Sequence, residues 1–147
     1  MSDGASTGVC MLKYCVWADP PGKPEISGYS SGQVLKTSDT ARLVCVSRGG
    51  NPLAQVYWYR NGAELDFSYV SGGGRAENEL VFTVQPSDNN AIYRCAASNQ
   101  MTTEPLTTDI RLTVQCKTLH SAKCIKYPAI AFRLCLKNVQ RLCCINW

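Results

Sequence analysis

Four residues at fixed spacing constrain this chain more than any other feature: Cys45, Trp58 thirteen positions later, Cys95 thirty-seven beyond that, and Tyr93 two before the second cysteine. Each lies in a short run with the period of a strand rather than of a helix. Residues 41–47 alternate, with Leu43 and Cys45 on one face, and Gln55–Arg60 is β-branched and aromatic, as a pleated strand prefers. That run leads into Asn61-Gly62, a hairpin signal because both central residues of the tight turn take positive φ. Residues 79–84 turn Leu80, Phe82 and Val84 inward, residues 91–97 follow, and residues 109–114 turn Ile110, Leu112 and Val114 inward. Weaker strand candidates lie at 24–27, 33–35 and 67–70. No segment keeps a 3.6-residue apolar period over three turns, so the expected class is all-β.

The pattern resembles an immunoglobulin-like antiparallel β-sandwich. That resemblance implies that Cys45 and Cys95 bridge the two sheets, that Trp58 packs on the bridge, and that Tyr93 hydrogen-bonds the backbone at the corner before its strand. Strand parity agrees: Val56 and Trp58 share a face, as do Tyr93, Cys95 and Ala97. The run Cys45-Val-Ser-Arg-Gly-Gly-Asn-Pro-Leu-Ala54, then Val56-Tyr-Trp-Tyr-Arg-Asn-Gly62, resembles repeats of the nephrin-like cell-adhesion receptors. So do Glu79-Leu-Val-Phe-Thr-Val-Gln-Pro-Ser-Asp-Asn-Asn90 and Tyr93-Arg-Cys-Ala-Ala-Ser-Asn99. That group holds the insect receptors of myoblast fusion and their nematode synapse-specifying relatives. The resemblance covers residues 20–115. It departs at one corner: where many such repeats place Asp and Gly six and four residues before the second cysteine, this chain has Asn89 and Ala91, with Asp88 one step earlier. The usual Asp-to-Arg bridge across the bottom of the sandwich is therefore not expected in its usual form.

Charge and cysteine divide the 147 residues into three parts. Residues 1–19 carry −1, residues 20–115 carry −1, and residues 116–147 carry +6, so the whole basic excess of +4 comes from the last part. The nine cysteines fall two in the head, two in the middle and five in the tail, too many for a reduced cytosolic protein without metal. The expected organisation is an irregular head over 1–19 ending in the linker Asp19-Pro-Pro-Gly-Lys-Pro24, an Ig-like domain over 20–115, and a basic Cys-rich tail over 116–147. The tail, with no turn logic or amphipathic period, is expected to be unstructured or not native to the repeat. Residues 1–17 lack a basic n-region and are broken by Lys13, so they do not read as a signal peptide. A disulfide-bonded domain nevertheless needs an oxidising compartment. The expected location is the extracellular part of a plasma-membrane protein whose export signal and membrane helix lie outside this sequence.

No enzyme chemistry is expected. His120 is the only histidine, the Ser71-Gly-Gly-Gly74 run precedes no helix, and the tail cysteines match no zinc spacing. No cofactor, metal, small-molecule substrate, nucleic acid or direct membrane insertion is expected; the apolar run 127–136 is interrupted by Arg133 and too short to span. The sequence also contains no Asn-x-Ser/Thr sequon. What remains is a surface. The parity that buries Val56 and Trp58 turns Tyr57 and Tyr59 outward, and the neighbouring strands add Ile92, Arg94, Ala96, Arg111 and Thr113 to that face. Tyrosines beside arginines are typical of binding hot spots. The expected role, as the resemblance implies, is an Ig module of a cell-surface adhesion receptor that mediates or spaces contacts with Ig-family cell-surface proteins, homophilic or heterophilic. The alternative is a secreted single-Ig protein with an active cationic Cys-rich tail.

Overall fold

The computed structural model describes residues 7–11 and 14–115. The readings of the tail (its five cysteines, His120, the six positive charges and the run 127–136) lie outside the described residues. A short hairpin, β1 (Thr7–Met11) with β2 (Tyr14–Ala18), comes first. Then follow β3 (Glu25–Ser27), β4 (Val34–Lys36), β5 (Thr40–Arg48), β6 (Gln55–Arg60), β7 (Ala63–Asp66), β8 (Val70–Gly72), β9 (Arg75–Thr83), β10 (Ile92–Ser98), β11 (Leu106–Arg111) and β12 (Thr113–Gln115). One sheet has the order β11-β10-β6-β7 and the other β3-β5-β9-β8, both antiparallel; β4 and β12 form a small parallel pair. This is the all-β sandwich the spacing implied.

Period-2 burial builds the interior. Ala41, Leu43, Cys45 and Ser47 point inward from β5, Ala76, Asn78 and Leu80 from β9, Val56 and Trp58 from β6, and Tyr93, Cys95 and Ala97 from β10. The Cys45–Cys95 disulfide joins β5 to β10 across the two sheets, with its Cα atoms 6.3 Å apart. Trp58 is the direct cross-strand partner of Cys95, and Asn78 that of Cys45, so an indole and an amide flank the bridge. The indole Nε1 donates to the Asn78 carbonyl at 3.2 Å. Asn78 in turn donates through Nδ2 to the Val56 carbonyl at 3.0 Å. The ladder to β7 begins only at Trp58, so that carbonyl lies beyond the last strand partner and needs a side-chain donor.

The corner before β10 differs from the expected one. The Tyr93 hydroxyl donates to Asp88 Oδ1 at 2.9 Å, not to a backbone carbonyl. Asp88 sits in the 3-10 turn Pro86–Asp88, where it is 4% exposed. A buried carboxylate is tolerable only when its oxygens are satisfied. Here the Gln85 amide donates to Oδ2 at 2.8 Å and the Arg60 guanidinium lies 2.7 Å from Oδ1. An Asp–Arg bridge therefore does form, carried by the residue one step earlier in the chain. Burial first, and then the hydrogen bond to Asp88, hold the Tyr93 phenol well above its usual range.

Other departures have local causes. β9 starts at Arg75 rather than Glu79, because Gly73 and Gly74 (φ +57° and +76°) close a tight hairpin that pairs Gly72 with Arg75. Of residues 67–70 only Val70 is in a strand. The last run splits at Leu112: β11 pairs with β10, and Thr113 passes to β12 beside β4, away from the face on which parity had placed it. The head, read as irregular, carries the β1–β2 hairpin and closes onto the sandwich through reciprocal Asp19–Asn51 backbone hydrogen bonds of 3.0 Å. The Asn61-Gly62 turn forms as expected, at φ +50° and +85° between the paired Arg60 and Ala63.

Candidate protein-binding face

Register brings the outward residues of three strands together. Tyr59 lies opposite Arg94 and Tyr57 opposite Ala96 across β6 and β10. Ile92 lies opposite Arg111, and Arg94 opposite Asp109, across β10 and β11. Tyr57, Tyr59, Ile92, Arg94 and Arg111 thus occupy one continuous sheet face. Ala96 shares that parity but is only 5% exposed, so it forms the floor rather than a contact.

Two aromatic partners on this face escaped sequence reasoning. Phe67, between β7 and β8, folds back so that its ring centroid lies 4.7 Å from Tyr57 and 6.2 Å from Tyr59. Tyr69 meets Tyr57 edge-on at 5.8 Å. Tilted and edge-on rings at these distances are mutually attractive, so Tyr57 and Tyr59 are held rather than free to rotate. Phe67 remains 42% exposed, which leaves an apolar patch open to solvent. Burial, then the neighbouring Tyr69 and Tyr59, raise the Tyr57 phenol above its usual value, so it is a neutral donor at physiological pH. A loop aromatic has no period to betray it, and no sequence signal places Phe67 or Tyr69.

Asp109 was legible, since it shares parity with Arg111. Arg94 donates to it through Nε at 2.7 Å and through a terminal nitrogen at 2.8 Å, a bidentate fork. The hydrogen bond from Arg94 holds the Asp109 carboxyl below its usual range, and the same bond raises the already high Arg94. Arg94 is therefore not a free cation but one half of an oriented, neutral pair. Next to it an open hollow of about 320 Å³ is lined by Tyr59, Arg94, Ala96, Glu104, Pro105 and Thr107. Among the described residues no group of three or more His, Cys, Asp or Glu is placed to hold a metal, and no helix is long and apolar enough to cross a membrane.

A sandwich with this bridge, this buried tryptophan and a wide exposed sheet defines an immunoglobulin-type module. The family description "Immunoglobulin domain" matches residues 23–99, just over half of the chain, and the chain belongs to that family. It is similar to nephrin of Homo sapiens, 37% identical over 86 residues that make up 56% of this chain and 7% of nephrin. It is also similar to cell adhesion molecule 3 of Xenopus laevis, 31% identical over 54% of this chain and 22% of that protein. Among solved structures, the mouse nectin-like molecule 4 ectodomain (Ig1–Ig3) superposes with a TM-score of 0.57 at 22% identity, covering 76% of this chain and 43% of that one. Rst D1-D2 superposes at 0.56 and 24% identity, over 67% and 51%. These two show the fold. The chain spans less than a quarter of the curated relatives named here.

Proposed function

We propose that residues 20–115 are an extracellular Ig module of a cell-surface adhesion or recognition receptor, acting by binding rather than catalysis. Its partners are Ig-family cell-surface proteins, and the contact is made by the face of β6, β10 and β11. The observation that carries this reading is the aromatic group of Tyr57, Tyr59 and Phe67, half-open to solvent beside the locked Arg94–Asp109 pair. Rigid tyrosines supply contact area at low entropic cost, and an ion pair already formed in the free protein adds little ordering cost on association. The similarity to nephrin and to cell adhesion molecule 3 supports the class of partner.

The test is the affinity of the full chain for Ig-family ectodomains, its own included. Tyr57→Ala and Arg94→Glu should each weaken the productive pair about 30-fold or more, the scale of a binding hot spot. Arg94→Glu sets a carboxylate opposite Asp109, so its melting curve is recorded alongside. Unchanged affinity in both folded variants would move the contact to another surface.

A further inference from the structure

The geometry points to a neutral-carbohydrate site at the loop end of the same sheet, adjoining the aromatic–arginine contact and sharing Tyr69 with it. A hollow of about 570 Å³ lies there, lined by Pro52, Leu53, Gln55, Tyr69, Ser98, Asn99 and Gln100. That volume lies within the ordinary range of small-molecule sites.

The lining chemistry is selective. It contains no charged side chain, so a phosphate, a carboxylate or an amine finds no counter-charge there. It does contain two primary amides and a hydroxyl whose side chains make no hydrogen bond to other described residues: Gln55, Gln100 and Ser98. Gln55 and Ser98 are direct cross-strand partners, so both side chains leave the sheet on one face at neighbouring positions. An amide offers a paired acceptor and donor, and a hydroxyl offers both. A pyranose presents the complementary set, adjacent hydroxyls that each donate and accept, on a ring whose other face is C–H. Tyr69 supplies an apolar platform for that face and is oriented by its edge-on contact with Tyr57. Pro52 and Leu53 extend the apolar wall.

The cavity is also preformed. Asn99 Nδ2 donates to the carbonyls of both Asp19 and Pro52 at 2.8 Å, and its Oδ1 accepts from the Met101 amide at 2.9 Å. One side chain thus ties the linker and the two loops that carry Pro52 and Gln100, and little ordering cost is left for a ligand. This sequence has no Asn-x-Ser/Thr sequon, so an N-linked sugar in the hollow belongs to another molecule.

The experiment titrates the full chain with lactose, mannotriose and sialyllactose while following backbone amide resonances. A neutral sugar is expected to shift Gln55, Ser98 and Gln100 saturably with a Kd of about 1 mM, the charged sugar giving no tighter binding than its neutral core. Tyr69→Ala and, independently, Gln55→Ala should each weaken this at least tenfold with the fold intact by amide dispersion. The proposal is overturned if no neutral sugar shifts these amides, or if both variants respond as the wild type does. Presenting the bound sugar on a glycolipid vesicle or on a glycoprotein then identifies its carrier. Because no protein partner is present, a negative titration leaves the affinity test of Tyr57 and Arg94 standing.

Discussion

Trp58→Ala is expected to remove a large share of the stability of the domain. The indole is fully buried, lies directly opposite Cys95, and donates its one polar hydrogen to Asn78. Large-to-small changes of this kind cost about 3–5 kcal/mol through lost transfer free energy and the residual cavity. A domain of this size has roughly 5–15 kcal/mol in total. The neighbours cannot collapse into the gap, because the disulfide fixes the separation of the sheets on one side and the paired strands fix it on the other. The thermal midpoint should fall by roughly 12–40 °C, if a cooperative transition survives at all. A melting curve superimposable on that of the wild type would mean that Trp58 is not at the centre of the sandwich.

Breaking the bridge should have an effect of the same order by a different route. Cys45 and Cys95 are 50 residues apart, and closing a loop of that length is worth about 4 kcal/mol in the chain-entropy treatment. Cys45→Ser adds the burial of a hydroxyl and a lone thiol where both sulfurs are now fully enclosed. The two mechanisms are separable in denaturant. Trp58→Ala lowers the midpoint at a nearly constant urea slope, whereas loss of the bridge also raises the slope, since the unfolded chain can expand. The sites touch, so the double variant should be less destabilised than the sum of the singles. An unaltered urea midpoint after reduction or substitution would contradict a load carried between β5 and β10.

Which parts of this were legible follows from what strand periodicity records. Alternation fixed the inward set of β5, β6 and β10, because each is flanked by neighbours on both sides and a one-residue slip would expose Trp58 or Cys95. It also fixed which tyrosines face outward. It could not place Phe67 and Tyr69, whose positions depend on ring packing in a loop. Asn78 was missed because an asparagine reads as a turn former, although here it satisfies a carbonyl left over where a short strand ends. The corner was half legible. Tyr93 announced itself by its place before Cys95, but its acceptor moved to Asp88 because a 3-10 turn brings that side chain, rather than a backbone oxygen, under the ring. The split of the last run at Leu112 is topological: parity continues through it, with Leu112 and Val114 both buried, while the hydrogen-bonding partner changes from β10 to β4.

The central claim is that this module makes its contacts through one face of one sheet. Val81 offers the control: it is 54% exposed on the opposite sheet and, in a strand pair with Arg42, far from the tyrosines in the fold. The direct measurement is aggregation of beads coated with the full chain, alone and mixed with beads carrying Ig-family ectodomains, for the wild type, Tyr57→Ala and Val81→Ala, with folding of each checked by melting. The expected result is aggregation in the wild type and Val81→Ala and its loss in Tyr57→Ala. Aggregation that persists in Tyr57→Ala, or that is lost in Val81→Ala instead, would contradict the assignment of the face.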